Sequence, residues 1–367
     1  MTDAAMSHSA PRILVVDDSS LVRLYYRDAL EPAGFEIDQA INGIEALEKV
    51  LAKPFDLIIV DINMPRMDGF EATRRIMETH PVPIVIISGV MQADEVATTF
   101  RAMEAGALAF QPRPFGIGHA NYEATARELV KTVKLMAEVK VVRRWPITRK
   151  PEPACEMTPA IAAKPAAESI KLVAIGASTG GPLVIRTILN ELPPGFPAPV
   201  MIVQHMVSEF IPGFVEWLRH TVCLDVRLAA NGEDLQAGKV YIAPGGCQTG
   251  IAPGGKIALT QAPAWNGHRP SVSYLFRAAA DIFSNEAIGV LLTGMGNDGA
   301  AELRLMREKG AVTIAQNEPS STVFGMPGEA VKLKAATYVL PPEQIAATIR
   351  EVVTHPLQVN DSKGTCP

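Results

Sequence analysis

Cysteine is scarce in this chain: there are four in 367 residues, Cys155, Cys223, Cys247 and Cys366, and no two form a C-x-x-C pair. Such spacing fits neither a zinc site nor a disulfide framework, and it predicts reduced thiols without a chemical role. No apolar run approaches the length of a membrane span, and the opening MTDAAMSHSAPR lacks the apolar stretch of a secretory signal. The expectation is a soluble, cytoplasmic protein without direct membrane insertion. Basic charge is not in excess either, since 34 Lys and Arg stand against 39 Asp and Glu. Without a basic stripe to track phosphates, nucleic acid is not expected as a partner. A dinucleotide fingerprint is also missing: GASTGG at 176–181 fails G-x-G-x-x-G at Ser178, and no tyrosine is followed four residues later by lysine. A nicotinamide-dependent reductase is set aside on both counts.

What is present is a βα rhythm, repeated along a chain long enough for two or three domains. Hydrophobic residues make up 48% and charged residues 20%, so sizeable cores are expected and wholesale disorder is excluded. The runs ILVV, LIIV, IVII and ALAF, with a less buried FEIDQA, alternate with amphipathic stretches up to about Lys140. Five such units predict a parallel sheet covered on both faces, in a flavodoxin-like doubly wound domain over 12–140. Residues 141–169 are rich in Pro and Ala without hydrophobic periodicity, and are predicted to be a linker whose r.m.s. span is on the order of 30 Å. From KLVAIG the rhythm returns through PVMIVQ, KVYIAPG, AIGVLLTG, AVTIAQ and TYVL, giving a second doubly wound α/β domain over 170–355. A local hairpin is expected between KVYIAPG and GKIALTQ. Residues 1–11 and 356–367 are expected to be a disordered N-terminus and a C-terminal tail.

In an open α/β sheet the ligand crevice lies beyond the carboxyl ends of the strands, and Asp17, Asp18 and Asp61 all fall there. Converging carboxylates repel unless a hard cation sits among their oxygens, and Mg²⁺ suits a few carboxylates plus waters. Ser88 ends the next strand and Arg113 follows the one after, so a phosphoryl group on Asp61 would meet a cation, a hydroxyl and a guanidinium. The bland alternative is that each aspartate merely caps a helix. Taken together these residues resemble the response-regulator receiver domain. That resemblance implies Asp61 in DINMPRMDG as phosphoacceptor, Asp17, Asp18, Asp61 and the Asn63 carbonyl as metal ligands, and Ser88, Phe110 and Arg113 as switch residues. Receivers usually carry Lys where QPRPFG has Arg113, and a planar guanidinium is not equivalent to a point charge at a phosphate.

In the second domain IGASTGG places Gly176, Ser178 and Gly180 in G-x-S-x-G between a strand and a helix, a turn that exposes a serine hydroxyl. Such a nucleophile needs a base, oriented in turn by a third group. His205 ends PVMIVQ and Asp298 follows AIGVLLTG, both beyond strand ends, whereas the rival base His268 lies in a loop. Each has a bland alternative: a tight βα connection, a structural histidine, a helix cap for AAELRLM. The blocks IGASTGGP, QHM, YIAPG, HRPSV, TGMGNDGA, AQNE and FGMP resemble the catalytic domain of the CheB protein-glutamate methylesterases, and the whole chain is similar to a two-domain CheB. The resemblance implies Ser178 as nucleophile, His205 as base, Asp298 as its orienting carboxylate and the Met295 amide as oxyanion donor, with Thr179 as a second donor on geometric grounds. It further implies methylated chemoreceptors as substrates, with deamidation of receptor glutamines as a related activity, and a histidine kinase of the CheA type as phosphodonor. Two patterns depart from the family: PGDxHM appears as PGGCQT, with Gly246, Gln248 and Thr249, and HRPSVD as HRPSVS, with Ser273. Those positions are expected to flank the substrate groove. The competing readings are a non-catalytic signalling adaptor and an esterase serving a pathway other than motility.

Overall fold

The structure, a computed structural model, describes residues 10–88, 100–113, 122–139 and 170–354. The chain divides into two compact units, Met1–Glu152 and Pro153–Pro367. The expected N-terminal segment, linker and tail lie almost wholly outside the described residues. Among the described residues no helix is long and apolar enough to cross a membrane.

The first unit runs β1 (Arg12–Val16), α1 (Ser20–Leu30), β2 (Glu36–Ala40), α2 (Gly43–Ala52), β3 (Leu57–Asp61), α3 (Gly69–Thr79), β4 (Ile84–Ser88), β5 (Ala109–Pro112) and α4 (Tyr122–Ala137). Its strands pair in parallel in the order β2-β1-β3-β4-β5. All five residues of β3 are buried, because a central parallel strand is covered on both faces. β5 begins two residues later than the run ALAF suggests, since Ala107 and Leu108 lead into the strand rather than form it. Local chemistry sets the helix starts. Asn42 accepts the Ile44 and Glu45 amides at the head of α2, and Asp68 accepts the Glu71 amide at the head of α3.

The second unit holds a seven-stranded parallel sheet and a separate hairpin. Its elements are β6 (Leu172–Ala177), α5 (Gly181–Asn190), β7 (Val200–Gln204), α6 (Ile211–Thr221), β8 (Asp225–Leu228), β9 (Lys239–Ile242), β10 (Gln248–Ala252), β11 (Lys256–Thr260), α7 (Val272–Ile282), β12 (Ala287–Leu291), α8 (Ala300–Glu308), β13 (Val312–Gln316), α9 (Met326–Lys332), β14 (Tyr338–Leu340) and α10 (Pro342–Thr354). The sheet order is β14-β13-β12-β6-β7-β9-β8. Helix α8 packs against both α7 and α9, and α5 packs with α6 and α10. The expected hairpin is real but differs in one strand. KVYI, three of its four residues buried, joins the main sheet as β9, and the antiparallel partner of KIALT is QTGIA. A mostly buried apolar run such as VYI is better satisfied inside a parallel sheet than in a two-stranded ribbon. Strand β8 was not anticipated, because its alternating DVRL is short and only Val226 is fully buried.

Sequential strands β6 and β7 lie on one side of a point where the order reverses, and β12 lies on the other. Ser178, His205 and Asp298 follow these three adjacent strands, so the topology itself gathers them at one sheet edge.

Candidate functional site

Ser178 sits one residue beyond β6. Its amide donates to Thr293 O at 3.0 Å, while its carbonyl accepts from the Gly181 amide at 2.8 Å and from Gln204 Nε2 at 2.9 Å. The sharp turn is made by Gly180, whose φ of 78° lies in the left-handed region, and a Cβ there would strike Thr322 Oγ1 at 2.3 Å. The loop TGMGNDG packs directly over the serine: a Cβ on Gly294 would lie 2.6 Å from Ser178 Cβ. Gly294 O in turn accepts the amides of Gly325 and Met326, and Thr293 N donates to Gln316 Oε1 at 2.8 Å. Sequence blocks far apart in the chain, TGMG, AQNE and FGMP, thus meet around the Ser178 turn. The Met295 and Thr179 amides have no protein acceptor among the described residues, as donors kept for a developing oxyanion require.

His205 follows β7 and its amide donates to Ala177 O at 2.9 Å, beside the serine. Its Nε2 lies 2.9 Å from Asp298 Oδ2, which leaves Nδ1 as the second ring nitrogen, buried and without a hydrogen-bond partner. With Nε2–H given to the carboxylate, the basic lone pair is on Nδ1.

Asp298 does not cap the helix that follows it. That position belongs to Gly299, with φ 86° and no side-chain bond. Asp298 is instead the anion at the N-terminus of α7: Ser271 Oγ donates to Oδ1 at 2.8 Å, the Val272 amide to Oδ2 at 2.7 Å and the Ser273 amide to Oδ1 at 3.2 Å. Burial alone would raise its pKa, but hydrogen bonds and charge from His205, Ser271 and Ser273 hold the carboxyl well below the usual carboxylate range.

Five residues around the site take places that the sequence does not predict. Gln204, 4% exposed, donates through Nε2 to the carbonyls of both Ser178 and His205, each at 2.9 Å. Its one signal in the sequence is that it opens the QHM block. His268 does not replace His205; it stacks on it, with ring centroids 4.0 Å apart and planes inclined by 6°. Of the positions that depart from the family pattern, Gln248, Thr249 and Ser273 are fully buried rather than groove-lining. Gln248 anchors a loop, donating to Pro263 O and His268 O and accepting from the Ser271 amide, and Ser273 Oγ accepts from the Gly299 amide.

In the first unit, Asp17, Asp18 and Asp61 bring carboxylate oxygens within 4.8 Å of one another at the ends of β1 and β3. None of them caps a helix: Asp17 Oδ1 accepts the Ser19 amide, and Asp61 Oδ1 faces Arg113 Nη2 at 2.8 Å. Arg113 Nη2 also lies 3.5 Å from Asp17 Oδ2. Burial, against the pull of Arg113 and with the help of Asp17, pushes Asp61 up to about 6. Asp17 is raised as well, mainly by burial. Asp61 Oδ2 is buried with no partner. An orphaned oxygen among destabilised carboxylates fits a hard divalent cation. Gly69 keeps the loop close, because a Cβ there would lie 2.2 Å from Asp61 O. Phe110 meets Phe100 edge to face at 5.7 Å, and Asn63 is exposed after β3. Ser88 ends β4, but its side chain lies outside the described residues.

Comparison with known proteins gives two family matches: CheB methylesterase over residues 173–349 and response regulator receiver domain over residues 13–120. A protein-glutamate methylesterase/protein-glutamine glutaminase of Geobacter metallireducens is 53% identical over 342 residues, which span 92% of this chain and 97% of that protein. One of the same name from Nitrosospira multiformis is 49% identical over 343 residues, 93% of this chain and 96% of its own. The crystal structure of the Thermotoga maritima CheB methylesterase catalytic domain is 38% identical, covering 50% of this chain and 100% of that domain with a TM-score of 0.49.

Proposed function

Because the chain belongs to the protein-glutamate methylesterase/protein-glutamine glutaminase family, with a response regulator receiver domain ahead of a CheB methylesterase domain, we propose that it hydrolyses γ-glutamyl methyl esters on the cytoplasmic helices of chemoreceptors through Ser178, His205 and Asp298. Ser178 Oγ attacks the ester carbonyl while His205 Nδ1 takes its proton. The carbonyl oxygen, now negative, is met by the Met295 and Thr179 amides. Collapse breaks the bond to the methoxy group, which leaves as methanol with the proton from His205, and water then releases glutamate from the acyl-serine by the same path. Attack on a receptor glutamine would expel ammonia instead. The observation that carries this reading is the 2.9 Å pair between His205 Nε2 and the multiply bonded Asp298, which leaves Nδ1 as the basic nitrogen.

Asp61 accepts a phosphoryl group from a histidine kinase of the CheA type in the cytoplasm, and this raises the esterase rate, with Ser88, Phe110 and Arg113 responding to the modified pocket. Asp17, Asp18, Asp61 and the Asn63 carbonyl would hold Mg²⁺. When bound, the cation neutralises charge on the phosphoryl oxygens. The esterase chemistry itself needs no cofactor.

The test is methanol release from methylated receptor preparations, with and without a small-molecule phosphodonor, by wild type and Ser178→Ala protein. Wild-type turnover that rises with phosphodonor and is lost in the variant is the expected result. Full activity in Ser178→Ala would reject the mechanism, and absence of methanol release by wild type would favour an adaptor.

A further inference from the structure

His205 is fixed at a single ring atom by hydrogen bonding: Nε2 meets Asp298, and Nδ1 has no partner. One hydrogen bond holds a point and leaves the tilt of the ring about that point open. Yet the base works only if Nδ1 is aimed within a narrow cone at the serine hydroxyl. The second constraint is a flat surface. His268 lies parallel to His205 at a centroid separation of 4.0 Å, close enough that tilting either ring drives its atoms into the other.

The chain builds a device for this contact. Trp265 and His268 exchange backbone hydrogen bonds of 3.0 and 2.9 Å, closing a two-residue turn. The residues between them, Asn266 and Gly267, have φ of 51° and 80°, both left-handed, as the Asn-Gly hairpin turn demands. From that turn Asn266 Nδ2 reaches Asp298 Oδ1 at 3.3 Å and Ser273 Oγ at 3.2 Å. Buried Gln248 holds the far side through His268 O at 3.0 Å. One short turn therefore touches the orienting carboxylate with one residue and the face of the base with another.

We propose that His268 is a positioning residue of the esterase, its ring laid on His205 by the Trp265–His268 turn so that the base keeps Nε2 on Asp298 and Nδ1 free for the serine. This rests on His205 acting as the base. The contact with His205 is made by the flat face of the ring, so a phenyl ring at this position should make it as well.

The experiment compares full-length wild type, His268→Ala and His268→Phe in methanol release, together with imidazole ¹H–¹⁵N spectra that report the tautomer of His205. His268→Ala should lower kcat about 10- to 100-fold with KM changed by no more than about twofold, and His268→Phe should recover most of kcat. The His205 spectrum should show the Nε2–H tautomer in wild type and His268→Phe, and a mixture in His268→Ala. An unchanged kcat and tautomer in His268→Ala would overturn the proposal. So would a Phe variant as slow as the Ala variant while its His205 signals remain those of wild type. Ser178→Ala and His205→Ala are run alongside: if they retain turnover the triad reading fails, whereas their inactivity beside a fully active His268→Ala removes only the positioning role.

Discussion

Ser271 Oγ donates to Asp298 Oδ1 at 2.8 Å, so the residue that caps α7 also binds the carboxylate paired with His205. Asp298 therefore serves two ends with one charge: it completes the N-terminus of α7 and holds His205. Asp298→Asn keeps the shape and removes the charge. Turnover should fall on the order of 10³- to 10⁴-fold, and the domain should lose about 1 kcal/mol as the helix N-terminus forfeits its anion. Methanol release and urea unfolding measure the two effects, and a variant within tenfold of wild type would remove Asp298 from the machinery. Because its folded pKa is held below the unfolded value of about 3.9, the stabilisation by Asp298 is present above that pH and is lost only as pH falls through the folded pKa.

Asp61 behaves in the opposite sense. Its folded pKa of about 6 exceeds the unfolded value, so between about pH 4 and 6 the native state binds the extra proton, and receiver stability falls as pH rises through that window. The loss amounts to about 2–3 kcal/mol. Asp61→Asn should abolish it, giving greater hydrogen-exchange protection of β3 than wild type at pH 8 but not at pH 4. Added Mg²⁺ should raise the protection of wild type at pH 8. Equal protection of wild type and variant at both pH values would show that no strained carboxylate is buried there.

Gln204 links two turns that carry different functional groups. Its Nε2 donates to the carbonyls of Ser178 and His205, so one amide ties the spacing of the proposed nucleophile and base. Gln204→Glu preserves the shape but offers only acceptors to two carbonyls. Turnover should drop about 10- to 100-fold with little change in KM, and stability should fall by about 1–3 kcal/mol. An active, stable Glu variant would show that the strands alone set the spacing.

How much of this was legible follows from what each feature depends on. Ser178, His205 and Asp298 stand at the ends of apolar runs, and a parallel sheet sends such ends to one edge, so their meeting follows from strand order. The double role of Asp298 depends on which helix N-terminus reaches it, and Val272 is 26 residues away. As a candidate base His268 stands behind His205, because it lies in a loop rather than at a strand end. The readable signal was its neighbour pair, Asn266-Gly267, which marks a tight turn that returns the chain. The hairpin was misassigned because KVYI and QTGIA both read as short strands, and only the neighbouring β7 decides which of them joins the sheet. Gln204 is marked only as the first residue of QHM, since alternation along β7 says which face it takes and nothing of the two carbonyls it reaches.

Arg113 is where the acidic pocket departs from the usual receiver residue, and the structure gives that departure a form. Its Nη2 lies 2.8 Å from Asp61 Oδ1 and 3.5 Å from Asp17 Oδ2, so one guanidinium nitrogen serves the proposed phosphoacceptor and a candidate metal ligand at once. A lysine ammonium is a compact charge on a flexible stem that can follow the acyl phosphate, while a guanidinium must approach in its plane and stays charged beside both carboxylates. A phosphoryl group on Asp61 would have to displace that pairing, and Mg²⁺ would have to share Asp17 with it. Coupling between phosphorylation and ester hydrolysis should therefore be present but weakened in wild type, and Arg113→Lys should strengthen it. The quantity to measure is the ratio of methanol-release rates with and without a small-molecule phosphodonor and Mg²⁺, in wild type and in the variant, alongside Mg²⁺ binding by calorimetry. A larger ratio and tighter Mg²⁺ binding in Arg113→Lys are expected. A ratio that stays level or falls would mean that the guanidinium serves this pocket as well as an ammonium does.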